Sequence, residues 1–262
     1  MLFDLPHILY MVFSGMITAG ILISASFLIK KQGSKDWFLR FWAVITVVIH
    51  FSSIYYDYFV DKIEKPELEL SMFIPAYACN VCMWLLVIYA FGNKENKFMK
   101  LLSHFLALGG IVCGAVGILL NEAYDRNGLA DFDTVKGLVS HSTMLLGCIY
   151  LIVGRYVKIR VHSVLGVACG LLILLVDGAV VNALNKVFEI PSVNSMYLEG
   201  APFDNIPWLN TITIGVIGVA VTFLIGVIVE FFSLEKNDRW YSKLRKTINV
   251  SEEDESIKGE GK

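Results

Sequence analysis

The sequence predicts an all-α fold: a polytopic membrane helix bundle with seven transmembrane helices, its N-terminus outside the cell and its C-terminus in the cytoplasm. Composition is the first observation, since 56% of the 262 residues are hydrophobic and the mean hydropathy is +0.62. Soluble domains contain roughly 45 to 50% apolar residues. The second observation is that the apolar residues form seven runs, each close to the roughly 20 residues that cross a bilayer as a helix. Alternating polarity is absent, which argues against a transmembrane β-barrel.

The predicted helices follow the apolar runs in chain order and are joined by short loops, except for a longer outer segment at 184–209. They cover residues 7–29, 37–59, 73–91, 101–120, 135–154, 161–183 and 210–233. The first run lacks a preceding basic segment and a small-residue cleavage site, so we expect it to remain as the first helix. We expect one membrane domain, 1–233, followed by a charged cytoplasmic tail, 234–262.

The placement of basic residues predicts the orientation of the bundle. Of the 22 Lys and Arg residues, 17 fall on one side of the predicted helices, including those at the start of the tail. The other five lie on the opposite side: Lys62, Lys65, Arg126, Lys136 and Lys186. Because cytoplasmic loops are enriched in Lys and Arg, the richer side is predicted to be the cytoplasm. The chain is therefore expected in the cell membrane as a multi-pass protein whose partners are membrane lipids, with no nucleic acid.

The five cysteines all fall inside apolar runs, so they do not outline a disulfide framework. They also lack the His or second CxxC spacing of a zinc site. The single CxxC, from Cys79 to Cys82, is weak evidence for redox chemistry in a helix without a thioredoxin-like context. We therefore expect no metal and no cofactor.

Polar residues within the runs are concentrated near the outer ends of four predicted helices. Such residues are costly in lipid and usually face a cavity or a partner. The second, third, fifth and sixth helices supply His50, Ser52, Ser53, Tyr55, Tyr56, Asp57, Cys79, Asn80, Ser140, His141, Ser142, Asp177, Asn182 and Asn185. They predict a polar cavity open to the outer leaflet. Within it we expect five residues to contact a substrate: Asn80, Tyr77, Asn194, Tyr56 and Asp177.

Cys79 and His141 are the strongest candidates for chemistry. A thiol activated by an imidazole is the minimal equipment for acyl transfer, since the thiolate attacks an ester carbonyl and the protonated base serves the leaving alkoxide. Asn182 or Asn80 is a candidate to stabilise the oxyanion or orient the imidazole. The alternatives stay open, because a buried cysteine usually behaves as a small hydrophobe and His141 is also explained as an interhelical hydrogen-bond donor.

Three segments around these residues carry the motifs of a known family: Ile74-Pro75-Ala76-Tyr77-Ala78-Cys79-Asn80, Gly137 to Ser142, and Val181 to Leu184 with Asn194 to Leu198, Pro202 and Ile206-Pro207-Trp208. In order and spacing, over roughly residues 45 to 233, they resemble the YwaF-like integral membrane proteins. The eukaryotic members of that family include a cysteine-dependent acyltransferase of ether phospholipids. The resemblance implies a seven-helix fold with Cys79 as acyl-carrying nucleophile, His141 as base and Asn182 as structural or polar support.

The sequence also departs from the family pattern. Tyr77 stands where the family has a histidine two residues before the cysteine, and Ala183 and Ser195 each replace a tyrosine. These changes point to a different substrate or to a scaffold that has lost the chemistry.

Three hypotheses follow. The first is a membrane-embedded lipid acyltransferase or transacylase acting at the outer leaflet. The second is a non-enzymatic seven-helix transporter or ligand-binding receptor that uses the same cavity, with Asp57 and Asp177 as its important groups. The third is a degenerate scaffold that assembles with another membrane protein.

Overall fold

The structure is a computed structural model that describes residues 2–60, 77–121, 128–188, 194–200 and 210–242, together with Pro75, Tyr124, Asp125 and Trp208. Every long regular element within this part is a helix. In chain order these are α1 Leu5–Leu28, α2 Gln32–His50, α3 Ser52–Phe59, α4 Ala78–Phe91, α5 Lys97–Leu119, α6 Phe132–Val153, α7 Ser163–Val187 and α8 Thr211–Ser233. The all-α prediction is therefore confirmed for the described residues.

Five of the described helices are long and apolar enough to cross a membrane, namely α1, α5, α6, α7 and α8. The α4 helix is apolar but has 14 residues, and residues 73, 74 and 76, at the start of the predicted third span, lie outside the described part. The α2 helix carries Lys35, Asp36 and Arg40 in its first half and falls outside these five. The protein is accordingly a multi-pass membrane protein.

The second predicted span, 37–59, differs most from the structure. Its helix begins earlier, at Gln32, because five mainly polar residues form the first turns before the apolar run starts. The helix then stops at His50, and a separate helix, α3, starts at Ser52. There the Ser52 hydroxyl donates to the Ile49 carbonyl at 2.6 Å, a local bond of the kind that competes with regular helical bonding.

Side-chain caps fix the first residues of four long helices. Asp4, Asn96, Asp131 and Asn210 each accept a hydrogen bond from a backbone N–H in the first turn of α1, α5, α6 and α8. A capping side chain satisfies one of the four N–H groups that a helix start leaves without an internal partner. The boundaries therefore follow from sequence chemistry at these four positions.

The α4 helix lies at the centre of the bundle, with α2, α5 and α6 around it. Half of its residues are buried: Val81, Cys82, Met83, Leu85, Leu86, Tyr89 and Ala90. By contrast, only 17% of the most apolar stretch of α1 and 11% of that of α8 is buried. These two helices therefore present most of their apolar side chains to lipid.

Small residues bring α5 close to α6 and α7. Along α5, Gly110 faces Cys148, Gly114 faces Leu145 and Gly117 faces the His141 ring. On α7, Gly166 and Gly170 lie against the first half of α5. A Cβ atom at any of these positions would come within about 3 Å of its neighbour, so glycine permits the close approach that drives helix association in lipid.

A polar cluster anchors the N-terminus to the far end of α5. The buried His7 ring accepts a hydrogen bond from the Phe3 N–H at 3.1 Å and donates to the Ile118 carbonyl at 2.9 Å. The ring also stacks on Tyr124 with centroids 4.4 Å apart, and the Tyr124 hydroxyl donates to the Asp4 carboxylate. That hydroxyl holds the pKa of Asp4 below its usual value.

We predict that Asp4→Asn lowers the thermal unfolding temperature of the purified protein at neutral pH. Asparagine keeps the helix cap but loses the charge that accepts the Tyr124 hydroxyl. Because the folded-state pKa of Asp4 lies below its unfolded value of about 3.9, the carboxylate stabilises the protein above that value, and this stability is lost as pH falls through the folded-state pKa.

The difference in unfolding temperature between wild type and Asp4→Asn should therefore be smaller near pH 3 than at neutral pH. Tyr124→Phe should show the same pH dependence. The double variant should lose less stability than the sum of the losses in the two single variants. An unchanged difference at both pH values would exclude this role for the carboxylate.

Candidate functional site

Cys79 lies in the first turn of α4 and is half-buried. Its thiol donates to the Asn80 side-chain oxygen at 3.5 Å. The backbone N–H groups of Cys79 and Asn80 also interact with this sulfur. These N–H groups belong to a helix start, where the backbone N–H groups lack internal partners. The thiol is thus surrounded by donors that an oxyanion can use.

His141 lies in α6, two turns from that helix's capped start. Its Nδ1 is 2.6 Å from the Gly137 carbonyl oxygen, so in the neutral ring Nδ1 carries the proton and donates it to that oxygen. The Nε2 atom is then left with its lone pair. A backbone carbonyl that fixes the tautomer in this way sets which ring nitrogen acts as a base.

The α5 helix connects these two residues. Cys113 lies close enough to Cys79 for the two thiols to interact electrostatically, and Gly117 lies directly against the His141 ring. Residues four apart on a helix are neighbours on one face, roughly 6 Å apart. Cys113 and Gly117 therefore lie on one face of α5, the first near Cys79 and the second against the His141 ring.

Four of the five cysteines meet in this region. Cys82 is hydrogen-bonded to Cys113 and interacts electrostatically with Cys79 and Cys148. The sequence indicated no such cluster, because its members come from α4, α5 and α6 and meet only through helix packing. Among the described residues, no group of three or more His, Cys, Asp or Glu is suited to a metal ion.

Asn182 is hydrogen-bonded to the loop that follows α7. Its side-chain nitrogen donates to the Ser195 carbonyl at 3.2 Å, and its oxygen accepts from the Ser195 N–H at 2.8 Å. Asn194 in turn bonds to the backbone of Glu199 and Gly200. Both asparagines therefore hold the short 3₁₀ turn Ser195–Tyr197, in which Met196 and Tyr197 have positive φ angles of 54° and 53°.

The other expected substrate contacts are dispersed. Tyr56 stacks on Phe132 with centroids 4.1 Å apart at the start of α6, and Tyr77 precedes α4 with 41% of its surface exposed. Asp177 is half-buried on α7, and its buried Oδ2 has no hydrogen-bond partner in the described part. The side chain of Asp57 lies outside the described residues.

Two polar contacts near His141 were not apparent from the sequence. The Tyr10 hydroxyl is hydrogen-bonded to Ser142 at 2.9 Å, which brings α1 to the site. Thr46 donates to Thr143 at 3.0 Å across a buried contact between α2 and α6. A tyrosine or threonine inside an apolar run resembles an ordinary packing residue, so neither sequence position carried a signal.

Comparison with known proteins gives one assignment. The family model described as the TMEM164 family matches residues 2–229. The chain belongs to the TMEM164 family. The matched range contains Cys79, His141 and Asn182 and extends into α8. No curated protein and no solved structure matches the chain.

We predict that Gly117→Ala destabilises the protein through His141. A Cβ at position 117 would lie 1.9 Å from a carbon of the His141 ring, and overpacking of this kind costs about 1 to 3 kcal/mol. Unfolding in denaturant or heat measures the cost. In a His141→Ala background, the same substitution should be nearly neutral, because the ring is gone.

Gly218→Ala in α8 is the matched control, since a Cβ there has no neighbour within 4 Å. It should have the same small effect in both backgrounds, a gain of at most about 1 kcal/mol from the higher helix propensity of alanine. An equal loss of stability from Gly117→Ala with and without the His141 ring would show that the ring does not pack against Gly117.

Proposed function

We propose that this protein is a membrane-embedded lipid acyltransferase or transacylase, with Cys79 as nucleophile and His141 as base. The observation that carries the proposal is that Cys79 lies near Cys113 and the His141 ring lies against Gly117, one turn further along α5, with Nε2 of His141 left as the basic nitrogen. The acyl donor is a membrane lipid ester, and the acceptor is a hydroxyl group on another lipid or molecule.

In the first half-reaction, Nε2 of His141 takes the thiol proton and the Cys79 sulfur attacks the ester carbonyl carbon. The carbonyl oxygen becomes an oxyanion, which the backbone N–H groups of Cys79 and Asn80 are placed to stabilise. The carbon–oxygen bond of the ester then breaks, and the alkoxide leaves with the proton from His141. In the second half-reaction, the acceptor hydroxyl gives its proton to His141 and attacks the thioester, which releases the Cys79 thiol.

Asn182 acts as structural support in this proposal, because both ends of its amide are bonded to Ser195. Tyr77 and Asn80 flank the nucleophile in sequence and are the expected substrate contacts closest to it. For Asn194, Tyr56 and Asp177, substrate contact remains a prediction.

Family membership supports the assignment at a coarser level. The TMEM164 family is the acyltransferase-related family of eukaryotes, which agrees in kind with the activity implied by the resemblance to YwaF-like proteins. The same resemblance supports seven spans, in which α2 together with α3 forms the second and α4 belongs to the third. The distribution of positive charges supports a cytoplasmic C-terminus.

One observation favours the transporter or receptor hypothesis. The buried Asp177 Oδ2 lacks a hydrogen-bond partner among the described residues, and an unpaired carboxylate oxygen in a membrane helix is costly unless a ligand or ion uses it. This candidate requires Asp177, whereas acyl transfer requires Cys79.

Topology is tested by reporter fusions. A reporter placed in the segment 184–209 should be external, and one placed after Ser233 should be cytoplasmic, because 17 of the 22 basic residues lie on the proposed cytoplasmic side. An external reporter after Ser233 would overturn the orientation.

The chemical role is tested by turnover and by mass spectrometry of the purified protein incubated with phospholipid. We predict an acyl adduct on Cys79 and a loss of turnover in Cys79→Ser, since a hydroxyl is a poorer nucleophile without a stronger base. His141→Ala should reduce the rate on the order of 10² to 10⁴-fold, the usual contribution of a positioned base.

Cys169→Ser is the matched control, because this half-buried cysteine lies on α7, which carries none of the four clustered cysteines. The turnover of this variant should stay normal. Asp177→Asn should also have a mild effect. Inactive Asp177→Asn beside normal Cys79→Ser, in a lipid-remodelling or uptake assay, would favour the transporter or receptor instead.

A further inference from the structure

An apolar groove of about 450 Å³ runs along α1 where this helix meets α2. It extends from Ile17 to Ile29 on α1, and Phe38 of α2 forms its other wall. The groove is separate from the Cys79 and His141 site, which is built on α4, α5 and α6. Nothing in the proposed acyl transfer uses it.

The length of the groove matches one leaflet of a bilayer. The 12 steps from Ile17 to Ile29 span about 18 Å at 1.5 Å per residue, and half of a roughly 30 Å hydrocarbon core is about 15 Å. Gly20 widens the groove, since no atom lies within 4 Å of the position that its Cβ would occupy. A single extended acyl chain therefore fits in both length and polarity.

Positive charge lies at one end of the groove. Lys30 and Lys31 follow Ile29 directly and are exposed, and neither forms an ion pair within the part of the chain that the structure describes. Trp37, next to Phe38, has 71% of its surface exposed, as expected of a tryptophan at the membrane interface. The Lys30 ammonium donates to the Ser26 carbonyl at 2.6 Å, a bond that leaves its charge uncompensated. An apolar groove that ends at two lysines without an acidic partner among the described residues complements a lipid with an acyl chain and a negatively charged headgroup.

We propose that this groove is a binding site for an anionic phospholipid, with one acyl chain between α1 and α2 and the headgroup phosphate at Lys30 and Lys31. The site is independent of the proposed catalytic activity.

Native mass spectrometry tests the proposal on the full chain, released from nanodiscs that contain phosphatidylglycerol and phosphatidylcholine with identical acyl chains. Wild type should retain phosphatidylglycerol in preference to phosphatidylcholine. The double variant Lys30→Gln and Lys31→Gln should lose this preference by about fivefold per lysine. Lys158→Gln, at another exposed basic position, is the charge control and should keep it.

The second part of the experiment fills the groove with a large side chain. Gly20→Phe should abolish retention of both lipids, whereas Gly15→Phe should not, since position 15 is equally open but lies outside the groove lining. Ser24→Phe fills the same groove from an exposed position and serves if Gly20→Phe does not fold. Circular dichroism and size-exclusion chromatography establish that each variant is folded.

Equal retention in the groove-filling variants and in Gly15→Phe would overturn the site. Equal retention of the two lipids by wild type would overturn the headgroup assignment. If a groove-filling variant changed only the fraction of dimer seen by size-exclusion chromatography, the groove would bind a helix of a second copy of the protein rather than a lipid.

Discussion

The close contact between α5 and α6 is the constraint on which the rest of the structure depends. Three glycines on α5, Gly110, Gly114 and Gly117, receive three side chains from successive turns of α6. Each contact leaves no room for a Cβ, so the two helices have one register in which all three fit. A slip of one turn would separate the His141 ring from Gly117. The position of the proposed base is therefore fixed by backbone packing rather than by a flexible loop.

A π-helical segment at Leu106–Gly110 allows α5 to pack against two different helices. Before it, the helix packs against α7 through Gly166 and Gly170; after it, the glycine face turns to α6. A π-helical turn changes the phase of the residues that follow, because each residue of an α-helix advances by about 100°. Such segments are frequent at functional sites. Here it directs Cys113 and Gly117 toward the helices that carry Cys79 and His141.

The sequence predicted the fold class and most helices, because composition and run length are properties of the chain alone. It misplaced the second helix, since apolar counting cannot detect that Gln32–Asp36 continue as helix or that the helix stops at His50. The cysteine cluster and the bond from Asn182 to Ser195 depend on how separate elements meet. Only the candidate residues, and not their partners, were therefore accessible from sequence chemistry.

The hydrogen-bond partners of the buried polar groups distinguish residues with a structural role from candidates for a functional role. Glu230, although buried on α8, accepts hydrogen bonds from the backbone N–H groups of Val161 and Trp240. Thr46 is likewise hydrogen-bonded to Thr143, and Asn182 to the backbone of Ser195. These residues stabilise loops and helix contacts, and their costly burial is thereby explained.

His50 differs from them, because its Nε2 is buried without a hydrogen-bond partner in the described residues. It also lies near enough to His141 and Lys136 for electrostatic interaction. An unpaired buried nitrogen costs the desolvation of that group unless another molecule bonds to it. A polar headgroup or ester bound beside His141 would supply the missing bond. In the proposed acyl transfer, such a bond would add His50 on α2 to the site that contains His141 on α6.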